Sequence, residues 1–295
     1  MTRALETSPD GQWIAARDGR TVTLGPCSPT AAGPLALGPD TFELDSDDAD
    51  LAFVHGPPIV LLAVVRVGDV TRVSLYQPPE REPATGIELR ARARLETTTG
   101  GRIVLVTDDR TALSIVRAAG RGLAVHPVDL RVGLVDFAVG IDRAQLVIAQ
   151  PKRLEVWDGV SGRPMHRLAL ALELPPPPRL VGAAAGHLWL VQPGSDELVA
   201  IRLSDGRPFR QNVGASIASA CAHLLSPLVV LGTGRGLVRV HCFAHSALAI
   251  EAPWRPGDPI AQLVAGEDVR LVGWTDGATE LWSTAISRRA VQPPL

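Results

Sequence analysis

The chain is poor in most of the residues that announce chemistry. Its three cysteines, Cys27, Cys221 and Cys242, are odd in number, far apart and without C-x-x-C spacing, so neither a disulfide framework nor a zinc site is indicated and they read as small buried residues. There is one asparagine, Asn212, and one tyrosine, Tyr76. Lys152 is the only lysine, every other basic residue being arginine; with the abundant Ala, Gly and Pro, that is the composition of a GC-rich bacterial genome before it is selection for phosphate. The net charge of -2 steers the chain neither towards nucleic acid nor away from it. The longest apolar run, IVLLAVV at 59–65, stops at Arg66, long enough to cross a sheet but not a bilayer. "MTRALETSPDG" at the start has no apolar h-region, so the expected location is the reducing cytoplasm.

What is present is apolar surface and turn chemistry. With 46% hydrophobic residues and 20% charge, the chain has enough to bury and should fold. In "SPDGQWIAARDGRTVTLG" (8–25), Pro9-Asp10-Gly11 is a turn tripeptide, "QWIAA" reads as a strand, Asp18-Gly19 is a hairpin turn, and "TVTLG" alternates as a second strand. The same strand, turn and strand recur in 59–77, 102–120, 146–168, 188–211, 228–243 and 269–283. The second strands of these units end near Leu24, Leu75, Val116, Trp157, Leu203, Val240 and Trp282, a step of about 43 residues. That period, with several short strands per unit and no long helical pattern, predicts an all-β, seven-bladed β-propeller of four-stranded antiparallel blades, six or eight blades being the alternatives. The expected arrangement is a single domain over 1–295, with approximate blades at 1–40, 41–90, 91–131, 132–175, 176–214, 215–257 and 258–295.

"SPDGQWIAARDGRTVTL", "LEVWDGVSGRPMHRL" and "GWTDGATELW" resemble WD40-type repeats, in which a turn, a strand, an Asp-Gly turn and a strand ending in a Trp-Asp-like pair follow one another. Trp157-Asp158 is that dipeptide, Trp282-Ser283 is a near form, and no unit opens with a Gly-His pair. The resemblance implies a propeller that serves as an interaction platform. For ring closure, "RALET" at the start reads as an inner strand and "RRAVQ" near the end as an outer one, so each blade is contiguous; alternatively, "RALET" pairs at the rim of the last blade.

Candidate sites are few. In "DSDDAD", Asp45, Asp47, Asp48 and Asp50 have the residue type of a calcium loop but not its spacing, so a solvated turn between blades is expected. His241 and His245 flank Cys242 in a strand-and-turn context that points them at no common metal, and the other histidines are scattered. "GTGRG" (232–236) lies between two strands and reads as a hairpin turn, not a phosphate loop. No G-x-S-x-G elbow is present, and the scarcity of Asn and Tyr argues against a catalytic or sugar-binding channel. In "ELRARARLE", period two would place Arg90, Arg92 and Arg94 on one face of a strand. They read either as an outer blade strand with a charged edge or as an anion-binding stripe for phosphopeptide or nucleic acid, the latter weakened by the lack of a neighbouring aromatic platform. Trp254 and Arg255, in the loop "EAPWRPGDP", are the expected protein contacts, whereas Trp13, Trp157, Trp189 and Trp282 fall at strand positions and read as core.

The expected function is therefore non-catalytic: a scaffold presenting propeller face loops to other proteins, with no metal, no cofactor, no membrane insertion and no nucleic-acid partner. The alternatives are an enzyme or small-molecule binder that uses the central channel, and an anion or nucleic-acid binder acting through Arg90, Arg92 and Arg94.

Overall fold

The protein is described by a computed structural model covering residues 3–8, 12–26, 33–35, 37, 40–54, 58–99, 102–119, 122–128, 138–142, 145–150, 152–158, 163–170, 179–184, 187–191, 194–222, 228–233, 237–242, 245–251, 260–265, 270–275 and 281–285. Every element in these stretches is a β-strand. The first sheet contains β1 (Arg3–Thr7), β2 (Trp13–Asp18) and β3 (Thr21–Pro26); the chain then makes β4 (Gly33–Leu35), which belongs elsewhere, and returns as β5 (Thr41–Glu43) to pair with β3. The second sheet is β6 (Ala49–Val54), β7 (Val60–Val67), β8 (Val70–Tyr76) and β9 (Thr85–Leu89). The third is β10 (Ala93–Thr99), β11 (Arg102–Thr107), β12 (Leu113–Ala119) and β13 (Gly122–Val128). The fourth is β14 (Ala138–Asp142), β15 (Gln145–Gln150), β16 (Arg153–Asp158) and β17 (Pro164–Ala169).

The fifth sheet is β18 (Arg179–Ala184), β19 (His187–Val191), β20 (Glu197–Arg202) and β21 (Pro208–Asn212). The sixth is β22 (Ile217–Ala222), β23 (Leu228–Thr233), β24 (Leu237–Cys242) and β25 (His245–Glu251). The last has three strands of its own, β26 (Ile260–Ala265), β27 (Arg270–Thr275) and β28 (Leu281–Ala285), and its fourth is β4. The described residues thus form seven four-stranded sheets, antiparallel throughout.

The first strands of successive sheets lie against one another in the order β1, β6, β10, β14, β18, β22, β26, and β26 returns to β1. A sheet whose first strand meets the first strands of both neighbours, with later strands stepping outward, is a blade around a common axis. The repeated strand, turn and strand of the sequence is the central hairpin of each blade, its second and third strands. Gly19 and Gly68 open the turns of the first two central hairpins at φ of 62° and 57°, a conformation glycine adopts without steric cost.

"RALET" is the inner strand that the first expectation had, but the last blade is not contiguous, so closure matches neither expectation in full. β1 is an inner strand paired with β2, so "RALET" is not at the rim of the last blade. The outer position there is taken by β4, whose Gly33, Pro34 and Leu35 face Ser283, Trp282 and Leu281; "RRAVQ" lies outside the described residues. Thr41–Glu43 pairs with the first sheet, not the second. β5 is held in turn by the second sheet, where Phe42 stacks on Tyr76 with ring centroids 4.5 Å apart and Arg81 pairs with Asp40.

The core is a series of apolar layers between blades, and it explains the run IVLLAVV. On β7, Leu61, Ala63 and Val65 pack with Ala15, Val22 and Leu24 of the first sheet, while Val60, Leu62 and Val64 pack with Ile103, Leu105 and Val116 of the third. A strand buried on both faces has no reason to alternate, so it reads as a continuous apolar stretch. Each fully buried Leu in such a layer contributes roughly 2 kcal/mol of transfer free energy. Trp157 joins the layer between the third and fourth sheets, Trp189 the one between the fifth and sixth, and Trp13 packs partly buried on the first, the places expected of core tryptophans.

Candidate functional site: a charged face over the first three blades

The turns closing the central hairpins and the connections leading to the next inner strand lie at the same end of the blades, and over the first three sheets they carry a continuous ion-pair network. The connection 44–48 brings the carboxylates of "DSDDAD" beside arginines at the ends of the second strands. Arg66, the last buried residue of β7 and only 3% exposed, donates Nε to Asp48 Oδ1 at 2.8 Å and Nη1 to Asp50 Oδ2 at 2.5 Å. Its Nη2 lies 2.7 Å from Asp48 Oδ1. Asp50 Oδ2 also accepts the Leu95 N–H at 3.1 Å, tying the second inner strand to the third. Arg17, 4% exposed at the end of β2, donates Nη1 to the carbonyls of Gly19 and Asp47 at 2.7 and 2.9 Å.

Arg92 and Arg94 complete the network. Arg92 pairs with Asp48, donates Nε to Asp108 Oδ2 at 3.1 Å and Nη1 to the Gly68 carbonyl at 2.8 Å. Arg94 donates Nε to Asp108 Oδ1 at 3.0 Å. Around this knot Arg110 pairs with Glu96 of β10 at 3.2 Å, and Arg72 at the second sheet pairs with Asp45 and Glu88.

The electrostatics follow from that packing. Hydrogen bonding from Arg66 holds the Asp48 carboxyl below the usual carboxylate range, against the opposing effect of desolvation. Glu6 on β1 behaves oppositely: burial, with the Asp50 carboxylate adding repulsion, pushes it up to about 8. Ionised carboxylates capped by guanidinium groups are poor proton acceptors and poor ligands for a cation. Among the described residues, no group of His, Cys, Asp and Glu could hold a metal ion. The ion pairs and hydrogen bonds tie the connections of the first three sheets to one another.

This corrects the reading of two sequence features. "DSDDAD" is not simply a solvated turn, because Asp48 and Asp50 satisfy the buried Arg66. The arginine alternation is not one face of a strand: Arg90–Arg92 form a bend and β10 begins at Ala93, as an inner strand, not an outer one. Thr71 pins the bend by donating its hydroxyl to the Ala91 carbonyl and accepting the Ala93 N–H, both at 2.8 Å. Of the three guanidinium groups, Arg92 and Arg94 are engaged by aspartates, and Arg90 is exposed. Trp254 and Arg255 lie outside the described residues, as do the last three residues of "GTGRG", whose flanking strands β23 and β24 are antiparallel neighbours. His245 faces Cys242 across the β24–β25 pair, with His241 one residue before Cys242.

Two buried groups were not singled out in the sequence. Arg66 figured there only as the end of an apolar run, although "ARDGR" and "VRVGD" both place an arginine two positions before the turn glycine, which is the shared signal for Arg17 and Arg66. Glu155 of β16, 5% exposed, accepts the Trp157 indole N–H at 3.3 Å. It has Arg153 and Arg167 within 3.3 and 3.2 Å of Oε1.

Seven four-stranded sheets closed in a ring define a β-propeller, and comparison with solved structures shows the same fold. The β-propeller domain of Cps50 (Swd1) from Myceliophteria thermophila superposes with a TM-score of 0.67 at 11% identity, covering 96% of both chains. A chain of the Mitotic Checkpoint Complex gives 0.65 at 10% identity, over 96% of this chain and 86% of that one. Raptor from Chaetomium thermophilum gives 0.66 at 14% identity, over 96% of this chain but only 27% of its own. No protein-family model matches the sequence, and comparison with curated proteins gives no match.

Proposed function

We propose that this propeller is a non-catalytic protein-interaction scaffold whose partners dock on the face formed by the inter-blade connections and central hairpin turns. The observation that carries the reading is the charged knot: its arginines and aspartates are spent on one another and tie the connections together, while Val67, Asp69 and Arg90 stand exposed around them. A face tied together in this way, with outward-facing loops, binds without paying to order itself. Three of the seven inner strands, β18, β22 and β26, are RLVGAA, IASACA and IAQLVA, without a carboxylate, whereas β1, β6, β10 and β14 carry Glu6, Asp50, Glu96 and Asp142. Because Arg92 and Arg94 already face carboxylates, the face favours protein over a polyanion. Similar propellers occur within assemblies, one of them in the Mitotic Checkpoint Complex.

Affinity capture of the tagged chain from its native cell, read by mass spectrometry, tests this. A partner recovered in stoichiometric amount and lost with the double change Val67→Asp and Arg90→Glu supports the proposal. Repeated recovery of the chain alone removes it and moves weight to the channel.

A further inference from the structure

The charged knot repeats one arrangement in each of the first three blades, and the copy in the first blade is incomplete. In the second blade Asp50 lies opposite Val64, and the Arg66 N–H donates to the Asp48 carbonyl at 2.9 Å. Residues 48 and 50 thereby meet the side chain at 66. The third blade does the same with the signs exchanged. Arg94 lies opposite Val106, the Asp108 N–H donates to the Arg92 carbonyl at 2.9 Å, and the Asp108 carboxylate receives Arg92 and Arg94 at 3.1 and 3.0 Å. In the first blade Glu6 lies opposite Ala15, and Ala4 opposite Arg17. Arg17 therefore holds the place of Arg66, Glu6 that of Asp50, and Ala4 that of Asp48.

The result is a buried guanidinium without a counter-ion. Arg17 is 4% exposed, and its hydrogen bonds are the two that Nη1 donates to the Gly19 and Asp47 carbonyls. Its buried Nε has no acceptor among the described residues, and no carboxylate there forms an ion pair with it. On Arg66, by contrast, Nε and Nη2 are the atoms that meet Asp48, at 2.8 and 2.7 Å. Glu6 does not take over: it makes no ion pair, and burial beside Asp50 favours its neutral form. Asp47, Asp48 and Asp50 act on Arg17 only at longer range, where desolvation outweighs them. A buried charged donor without an acceptor is costly, and native folds seldom leave one. What Ala4 lacks relative to Asp48 is one carboxyl group. Ala4 is half-buried and the adjoining turn residues Asp18 and Arg20 are exposed, so the place opens towards solvent.

We propose that Arg17 is the centre of a carboxylate-binding site at the end of the first blade, where Nε and Nη2 take a carboxylate from outside the chain as Arg66 takes Asp48. The planar fork of a guanidinium group matches such an anion. A single negative charge fits better than a phosphate dianion, because Asp47, Asp48 and Asp50 stand nearby. The carboxylate belongs to a small organic acid or to an acidic side chain, and the site stands whether or not the propeller is a scaffold.

The test titrates the isotope-labelled full chain with sodium acetate against sodium chloride at constant ionic strength, with acetamide as the neutral counterpart. Acetate is expected to move the Arg17 Nε–H resonance saturably and to raise the urea midpoint above its value in chloride. Ala4→Asp supplies the carboxylate from within: the midpoint in chloride should equal or exceed that of the natural chain, and acetate affinity should fall about tenfold or more. Arg17→Met removes the donors and should abolish the acetate-specific rise, so the outcome does not hang on one variant. End-blocked alanine peptides with a central Asp or Asn separate the sources. An Asp peptide that binds about tenfold or more tighter than acetate, with no binding of the Asn peptide, assigns the site to an acidic side chain; Asp-peptide binding no tighter than acetate assigns it to a small acid. No acetate-specific shift, an equal shift with chloride or acetamide, a rise that survives Arg17→Met, or a midpoint lowered by Ala4→Asp overturns the proposal. Phosphate displacing acetate at equal concentration overturns the preference for a carboxylate. None of these outcomes alters the capture experiment that tests the scaffold.

Discussion

Two buried charges, Arg66 in the second blade and Glu155 in the fourth, are solved in different ways. Arg66 is satisfied by Asp48 from the connection leading out of the first blade and by Asp50, which also takes an N–H from the third, so one guanidinium group ties three blades together. Glu155 is neutralised within its own sheet: Oε2 accepts the Trp157 indole N–H, while buried Oε1 has Arg153 and Arg167 at ion-pair distance but no hydrogen bond. The first arrangement joins one blade to the next. The second fixes the register of an outer strand and leaves arginines at its edge.

Breaking the first should therefore cost most. Arg66→Ala leaves Asp50 without its guanidinium partner and Asp48 with Arg92 alone; because both carboxylates are about a third exposed and can take up water, a loss of about 2–3 kcal/mol is expected. The urea midpoint reports it, and hydrogen exchange should quicken in β6 and β10 while β16 and β17 stay protected.

The same region should give the chain a pH-dependent stability. The folded state raises the Glu6 pKa from 4.5 to about 8, so its contribution is fully present below the unfolded value and is lost as pH rises through the folded one. The urea midpoint should fall between about pH 5 and pH 8, and Glu6→Gln should flatten that fall. Asp48, held low by Arg66, has the opposite sign: its contribution is lost as pH falls below the ordinary carboxylate range. A midpoint unchanged by Glu6→Gln across the neutral range would count against a desolvated Glu6.

In the fourth blade the penalty should be smaller. Glu155→Gln keeps an acceptor for the Trp157 indole, and both arginines can reach water, so roughly 1–2 kcal/mol is expected, with a shift in Trp157 fluorescence. At the bottom of the scale stands the exposed Arg202–Asp205 pair: Asp205→Asn should leave the urea midpoint where it is, since surface pairs contribute little.

What was legible in the sequence was local. Central hairpins showed because their turns use residues that act over two or three positions, Gly19 and Gly68 with positive φ among them. The layered core showed in the continuous apolar run of β7. What depended on distant partners did not show. Aspartates 48 and 50 looked solvated because nothing nearby reveals that Arg66 and the Leu95 N–H come to meet them. The alternation of Arg90, Arg92 and Arg94 suggested a strand, but the hydroxyl of Thr71, from the neighbouring blade, bends the chain there. Nor does "GPL" at 33–35 look like a strand, since its partner sits at the far end of the chain.

That last pairing has a consequence for biosynthesis. The strand that completes the final blade leaves the ribosome well before the edge it must join. Until residues 281–283 emerge, β4 has no partner to pair with and the last blade lacks its outer strand. Ring closure is then the latest and most non-local event in folding, the kind that loop entropy makes slow. A nascent chain caught before that point would carry an intact first half with one strand to spare, a form that a chaperone or a second chain could capture.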